Sequence, residues 1–278
     1  MQAIALLISA SALPAFAQSV TLVTTFDYPN AVQTFPSAIS DTGDITGSYV
    51  DTTGATLGFI RRSDGGFSPP LIDPHTKDGF TEASGINNSH FLVGLSSDGR
   101  SHYIRGFLYA HGNFVTYNVP GALSTGLYGV NNAGDLAGYY IQSRTLHGFI
   151  DIGGNVTDIH IPGSRSVVAV QLNGSDAVAG TYWLGVVAHG YYRDAAGGLR
   201  YPIDPAGSTY TYLSGINDEN WITGAYTDTA GIEHGLLYQP ATSTFVTYDY
   251  PGTTDTFLGN INRHGEIIGS YTDSSGNS

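Results

Sequence analysis

Residues 213–251 read LSGINDENWITGAYTDTAGIEHGLLYQPATSTFVTYDYP. Four short apolar runs divide them, at 213–217, 221–227, 234–238 and 245–250. Between the runs lie Asp218-Glu219-Asn220, Asp228-Thr229-Ala230-Gly231 and Pro240-Ala241-Thr242-Ser243. Short runs bounded by Asn, Asp, Gly and Pro clusters are the pattern of consecutive β-hairpins. Pro251 has no N–H to give a ladder, so it suits the end of a strand leaving a sheet.

The same unit recurs along the chain. A Gly sits at 47, 94, 138, 180, 224 and 269, at intervals of 47, 44, 42, 44 and 45 residues. Tyr follows two residues later at Tyr49, Tyr140, Tyr182, Tyr226 and Tyr271, and Gly94 lacks it. Before each Gly comes an apolar-Asn pair: Ile86-Asn87, Val130-Asn131, Leu172-Asn173, Ile216-Asn217 and Ile261-Asn262, with Ile39-Ser40 as the variant. After it comes His-Gly-aromatic at His147-Gly148-Phe149 and His189-Gly190-Tyr191, weakened to His234-Gly235-Leu236. Arg105-Gly106-Phe107 and Leu57-Gly58-Phe59 lose the His. Pro29, Pro74, Pro120, Pro162, Pro205 and Pro251 close the units.

Four strands per repeat of about 44 residues is the blade of a β-propeller. The expected fold is therefore all-β: a single β-propeller of six four-stranded blades. Residues 20–28 match the fourth run of the fifth unit, and the sixth unit lacks its own. The N-terminal strand is thus expected to complete the last blade and close the ring. The last unit stops at Asp273-Ser274-Ser275-Gly276-Asn277-Ser278, before a His-Gly-aromatic strand, which predicts a truncated last blade. Over about residues 20–278 these motifs resemble the bacterial extracellular repeat family named for His-Ala-Phe, with Gly in place of its Ala. The resemblance implies a secreted repeat protein and no particular reaction or catalytic residue.

Residues 3–13 are apolar and lead through Pro14 to Ala15-Phe16-Ala17. Small residues at the third and first positions before Gln18 suit signal-peptidase cleavage, and the stretch is too short to span a bilayer. Residues 1–17 are read as a signal peptide and 18–278 as the propeller domain, secreted or periplasmic and without membrane insertion. The chain has no Cys, so disulfides, thiolate metal sites and Cys nucleophiles are excluded. A net charge of −13 with ten scattered Lys and Arg argues against nucleic acid and anionic membranes, and a monomer is expected.

No nucleophile elbow, phosphate loop or zinc-binding His pair is present. The repeated His and Asn read as turn and blade residues; catalytic residues are unknown. Asp loops such as Asp41-Thr42-Gly43-Asp44, Asp51-Thr52-Thr53-Gly54 and Asp228-Thr229-Ala230-Gly231 read as hairpin turns, with calcium as the alternative ligand and no other cofactor or metal expected. Subtracting the repeat leaves His75, Lys77, Asp78, His102, Tyr103, Arg144, Arg165, Trp183, Tyr210 and Tyr212, in loops before first strands and between second and third strands. Aromatic faces stack on sugar C–H surfaces and polar groups orient them. The leading expectation is a non-enzymatic propeller binding a glycan or an extracellular protein through these loops. The alternatives are a carbohydrate-active hydrolase or lyase, marked by paired loop carboxylates, and a structural matrix protein.

Overall fold

The computed structural model describes residues 3–7, 21–76, 80–97, 99 and 103–273. Among these residues all regular elements are strands. The chain opens with β1 (Ala3–Leu7), β2 (Thr21–Phe26), β3 (Gln33–Ile39), β4 (Ile45–Val50) and β5 (Thr56–Arg61). Next come β6 (Phe80–Ile86), β7 (Leu92–Ser97), β8 (Arg105–Ala110) and β9 (Asn113–Tyr117). The following unit is β10 (Ser124–Val130), β11 (Leu136–Gln142), β12 (Thr145–Ile152) and β13 (Asn155–Ile159). It is followed by β14 (Ser166–Leu172), β15 (Val178–Leu184), β16 (Val187–Arg193) and β17 (Leu199–Ile203). The chain ends in β18 (Tyr210–Ile216), β19 (Ile222–Thr227), β20 (Glu233–Gln239), β21 (Thr244–Tyr248), β22 (Thr253–Ile261) and β23 (Glu266–Asp273).

Sheets β6–β9 and β18–β21 are four-stranded antiparallel meanders. The units β10–β13 and β14–β17 repeat that plan, and one parallel bridge, Leu146 to Ser166, links them into an eight-stranded sheet. The first unit departs from it: β3–β5 is three-stranded, and its fourth strand is reduced to bridges from Phe67 to Arg61 and Leu71 to Gly58. Pro69 and Pro70 lie between the bridges, and neither can donate to a ladder. The last sheet has the order β2-β1-β23-β22, so the N-terminal strand β2 is its outermost member. Ala3–Leu7, read from sequence as part of a signal peptide, here pairs antiparallel with both β2 and β23. Ala15-Phe16-Ala17 and residues 274–278 lie outside the described residues.

Two repeated glycines let the strands approach. A Cβ at Gly47, Gly94 or Gly180 would stand 2.1, 2.0 or 2.2 Å from the carbonyl oxygen of Phe35, Glu82 or Val168 on the neighbouring first strand. The third-strand glycine serves packing between units. A Cβ at Gly190 or Gly235 would stand 2.8 Å from Leu213 or Leu258 on the first strand of the next unit. The two ends of the chain share one core: Phe26 and Ile268 of the last sheet pack with Ile39, Ile45 and Phe59 of the first unit.

Each buried Asn of the apolar-Asn pairs performs two tasks. Its Oδ1 accepts backbone N–H groups two and four residues on; for Asn173 these are Ser175 (3.0 Å) and Ala177 (3.1 Å). Its Nδ2 donates to a carbonyl of the next unit. The series runs Asn87 to Asn131 (3.0 Å), Asn131 to Asn173 (3.3 Å), Asn173 to Asn217 (3.0 Å), Asn217 to Asn262 (3.2 Å) and Asn262 to Ser40 (3.0 Å). Ser40 keeps the turn bond, accepting the Asp44 N–H at 3.1 Å. At that junction Asn88 and Asp41 supply the cross-unit pair, at 2.9 and 2.7 Å.

The motif histidines are structural in the same way. The His147, His189 and His234 rings lie against Tyr140, Tyr182 and Tyr226, with centroids 4.8, 5.3 and 5.0 Å apart. An Asp near the end of the fourth strand faces each: Asp158 at 3.9 Å, Asp204 at 2.6 Å and Asp249 at 2.8 Å. At two places without the His a second Tyr takes the ring's place, Tyr28 on Tyr49 at 3.8 Å and Tyr250 on Tyr271 at 4.7 Å, while the second unit has Ser96 and Arg105 at these positions.

Two predictions follow from these contacts. Asn173→Ala strands its turn donors and the Asn217 carbonyl, each buried group costing about 1–3 kcal/mol; Asn173→Ser, imitating Ser40, keeps the turn and loses less. Equal losses in denaturant titrations would show that the cross-unit bond contributes everything. For His234, burial lowers the imidazole pKa, but Asp249 and Asp228 outweigh it and hold it above the ordinary value. A raised folded pKa contributes stability below the unfolded value of about 6.5 and loses it as pH rises through the folded value. The melting-temperature gap between wild type and His234→Gln should therefore be larger at about pH 5.5 than at about pH 8.5; a gap independent of pH would contradict this.

Candidate aromatic and carboxylate patch on the loop face

In an antiparallel meander, the start of the first strand and the loop between the second and third strands emerge at the same end. At the opposite end are the Asn turns, which are polar. Exposed large apolar side chains are divided unevenly between the two. Val32, Ile72, Leu123 and Tyr212 lie in or beside loops leading into first strands, and Tyr103, Leu184, Val186 and Ile232 between second and third strands. The other four, Val115, Val156, Tyr201 and Phe245, sit on the outer strands. None of these described residues lies in an Asn turn itself.

The described residues among those selected from sequence lie in or beside loops of this face, but only three of them are drawn together. Trp183 ends β15, and Tyr210 and Tyr212 begin β18 in the next unit. The Trp183 and Tyr212 rings meet edge-on with centroids 6.4 Å apart, and Tyr210 lies nearly parallel to Tyr212 at 6.4 Å. Tyr212 is 37% exposed. Alternation along β18 puts residues two apart on one face, which is why Tyr210 and Tyr212 act as a pair.

Two acids complete the patch, and the sequence reading passed over both. Glu233 starts β20, and its carboxyl is pushed up by burial and then by the charge of Asp255. Asp255 is fixed: Oδ1 accepts the Glu233 backbone N–H at 3.1 Å, and Oδ2 accepts the Thr254 hydroxyl at 3.0 Å. Burial, then Tyr210 and then Glu233 raise the Tyr212 phenol, so ring and acid sense one another. Glu233 was hidden because it directly precedes a repeat His, and Asp255 because it resembles a turn residue.

The remaining candidates are dispersed. His75 is tied by Nδ1 to Asp73 at 2.9 Å, and Asp73 also accepts the Ser96 hydroxyl at 2.7 Å, which anchors the loop to β7. Arg144 is exposed in a turn with φ of 65°, Arg165 is exposed before β14, and Tyr103 is exposed before β8. No described hydrogen bond, ion pair or ring contact joins His75, Arg144 or Arg165 to the aromatic trio. Lys77, Asp78 and His102 lie outside the described residues. The Asp loops are occupied by their own turns: Asp51 Oδ1 accepts Thr53 N–H (2.8 Å), Thr53 O–H (2.7 Å) and Ala55 N–H (3.0 Å), and Asp228 Oδ1 accepts Ala230 and Ile232 N–H. Among the described residues no group of three or more His, Asp or Glu side chains forms a metal-binding cluster.

A second concavity lies among the first strands. Each of these strands slips register midway, and β22 slips a second time near its start; the midway slips leave Ser37, Ser84, Tyr128, Val170, Ser214 and the pair Gly259-Asn260 out of the ladder. All of these line one cavity of ≈190 Å³. A smaller cavity of ≈60 Å³, lined by the Asn turns, shares Gln171 and Asn260 with it.

No family model and no curated protein matches the chain. Solved structures do. A protein described as TolB from Agrobacterium tumefaciens superposes with a TM-score of 0.67 at 11% identity, over 97% of this chain and 98% of that one. A fucosylated-disaccharide complex of the Aleuria aurantia lectin superposes with a TM-score of 0.52 at 12% identity, over 87% and 89% of the two chains. For virginiamycin B lyase from Staphylococcus aureus the TM-score is 0.51 at 11% identity, over 92% and 85%. Identities this low transfer architecture and nothing more: the chain has an all-β, β-propeller-like fold.

Proposed function

We propose that this chain is an exported six-bladed propeller that binds a glycan through the Trp183–Tyr210–Tyr212–Glu233 patch. Six first strands in succession, the Asn262-to-Ser40 bond and the core shared by β2 and β3–β5 support the closed ring. The resemblance to the His-Ala-Phe repeats and the apolar stretch before Gln18 support export. Among the described residues no helix is long and apolar enough to cross a membrane. The observation that carries the binding reading is the meeting of three aromatic rings with a carboxyl group on the face where exposed apolar side chains collect. Ring faces take sugar C–H groups, and carboxylates take hydroxyl pairs. The aliphatic residues around the patch favour an extracellular protein as the other partner class, because exposed apolar surface of this kind marks interfaces.

A hydrolase or lyase is the second reading. It rests on Glu233 and Asp255: a carboxyl whose pKa is raised by burial and by a neighbouring carboxyl group is how a proton donor is set apart. Against it, Asp255 already accepts two hydrogen bonds, which hold it in place.

The chain has two tryptophans, and Trp221 is buried, so Trp221→Phe leaves Trp183 as the reporter of the patch. Oligosaccharides that bind there should change its fluorescence saturably. Tyr212→Ala should weaken binding by roughly tenfold or more, the scale of a lost aromatic contact. A full set of oligosaccharides without response would overturn the glycan reading. Turnover of a bound sugar that Glu233→Gln abolishes would replace binding with catalysis. Export is tested by intact mass: a secreted product beginning at Gln18 supports it, and one retaining residues 1–17 overturns it.

A further inference from the structure

The chamber among the first strands is where the repeat is most thoroughly broken. A bulge adds a residue to a strand and turns its side chain out of the ladder, and here six bulges converge on one space. Were the units equivalent, six like residues would line it. Instead Tyr128 supplies the one aromatic bulge residue, and Glu82 is the one carboxyl among the lining residues. Pro36, Val170 and Phe257 add apolar wall.

Two polar groups here have no partner. No hydrogen bond or ion pair joins the Glu82 carboxyl to any described residue, and burial pushes its pKa up. Ser84, 6% exposed, holds its hydroxyl in the same chamber with its Oγ unsatisfied. A buried hydroxyl such as that of Ser84 is ordinarily hydrogen-bonded, and a half-buried carboxylate such as Glu82 is stabilised by a counter-charge. The titratable groups facing Glu82 from the neighbouring strands are Tyr128 of β10 and Tyr139 of β11, both phenols whose pKa burial raises, and neither supplies positive charge. Among the described residues no Lys, Arg or His lines the chamber.

We propose that the axial chamber binds a small organic ammonium ion, with Glu82 as its counter-ion, Ser84 as a hydrogen-bond partner and the Tyr128 and Phe257 rings as its walls. The size fits: ≈190 Å³ is several times the roughly 30 Å³ share of a water molecule and holds an organic ion of a few carbons. The wall chemistry separates this ligand from a metal ion. Calcium takes six to eight oxygen ligands, whereas this chamber offers one carboxylate among apolar and aromatic surface, the surroundings that cation–π attraction favours. The net charge of −13 draws cations toward the protein. This site is independent of the loop-face patch, and each can fail without the other.

The test uses the full chain with tetramethylammonium and propylammonium chloride as probes, against sodium chloride at equal ionic strength, calcium chloride and tert-butanol. Ammonium salts should raise the melting temperature by ~3 °C or more near saturation. Calorimetric affinity should rise with pH as Glu82 ionises. Glu82→Gln, which preserves shape, should fold and lose at least tenfold in affinity; Tyr128→Leu should lose a smaller factor. The proposal is overturned if the ammonium ions act no more strongly than sodium, if tert-butanol or calcium acts equally well, or if Glu82→Gln binds as wild type does.

Discussion

The amide of a buried asparagine has to satisfy an acceptor and two donors at once, and the architecture follows from how each unit meets that demand. The oxygen closes the unit's own first hairpin, and the nitrogen reaches the carbonyl of the next unit. One side chain thereby couples local turn geometry to the angle between neighbouring sheets. The bonds run Asn87 to Asn131 to Asn173 to Asn217 to Asn262 to Ser40, which carries the series from the last sheet back to the first. The Asp41–Asn88 pair covers the junction where the residue is Ser.

Outside this axis the sheets are held by close approach and ring stacking. Glycine on the second strand admits a carbonyl of the first, and glycine on the third admits a leucine of the next unit, so cohesion within and between units depends on missing side chains. Further out, Tyr, His and Asp from three successive strands form a cluster, or, at two places without the His, two tyrosines stack. Where a Tyr replaces the His, the stack keeps a flat ring without a titrating group, and the second unit has Ser96 and Arg105 at the two positions instead. That accounts for the loss of the motif His in some units without loss of the fold, and it sets these histidines apart from any ligand site.

Function is sought where repetition lapses. The loop face gathers Trp183, Tyr210 and Tyr212 from adjacent units and sets Glu233 beside Asp255; the chamber among the first strands gathers bulge residues from six strands, three of them Ser, beside Glu82. In both places a half-buried carboxyl sits beside aromatic surface. At the Asn end, burial and then the Asp135 charge raise the Asp176 carboxyl as well, but Asp176 is tied to the Asn131 side chain at 2.9 Å.

The sequence by itself determined the period, the four-run unit, the turns and the placement of residues 20–28 with the last unit, because each is written in local patterning that a hairpin obeys whatever surrounds it. It also marked Trp183, Tyr210 and Tyr212 as departures from the repeat. It did not reveal the shortened first unit's fourth strand as bridges around Pro69 and Pro70, nor Ala3–Leu7 lying between β2 and β23. The second role of the asparagines, the neighbourhood of Glu233 and Asp255, and the convergence of the bulges on one cavity were decided only in the tertiary structure. The asparagine bonds join residues about 44 apart in sequence and the bulges come from every unit, so these features arise from how one sheet sits against the next, a relation no single stretch of chain encodes.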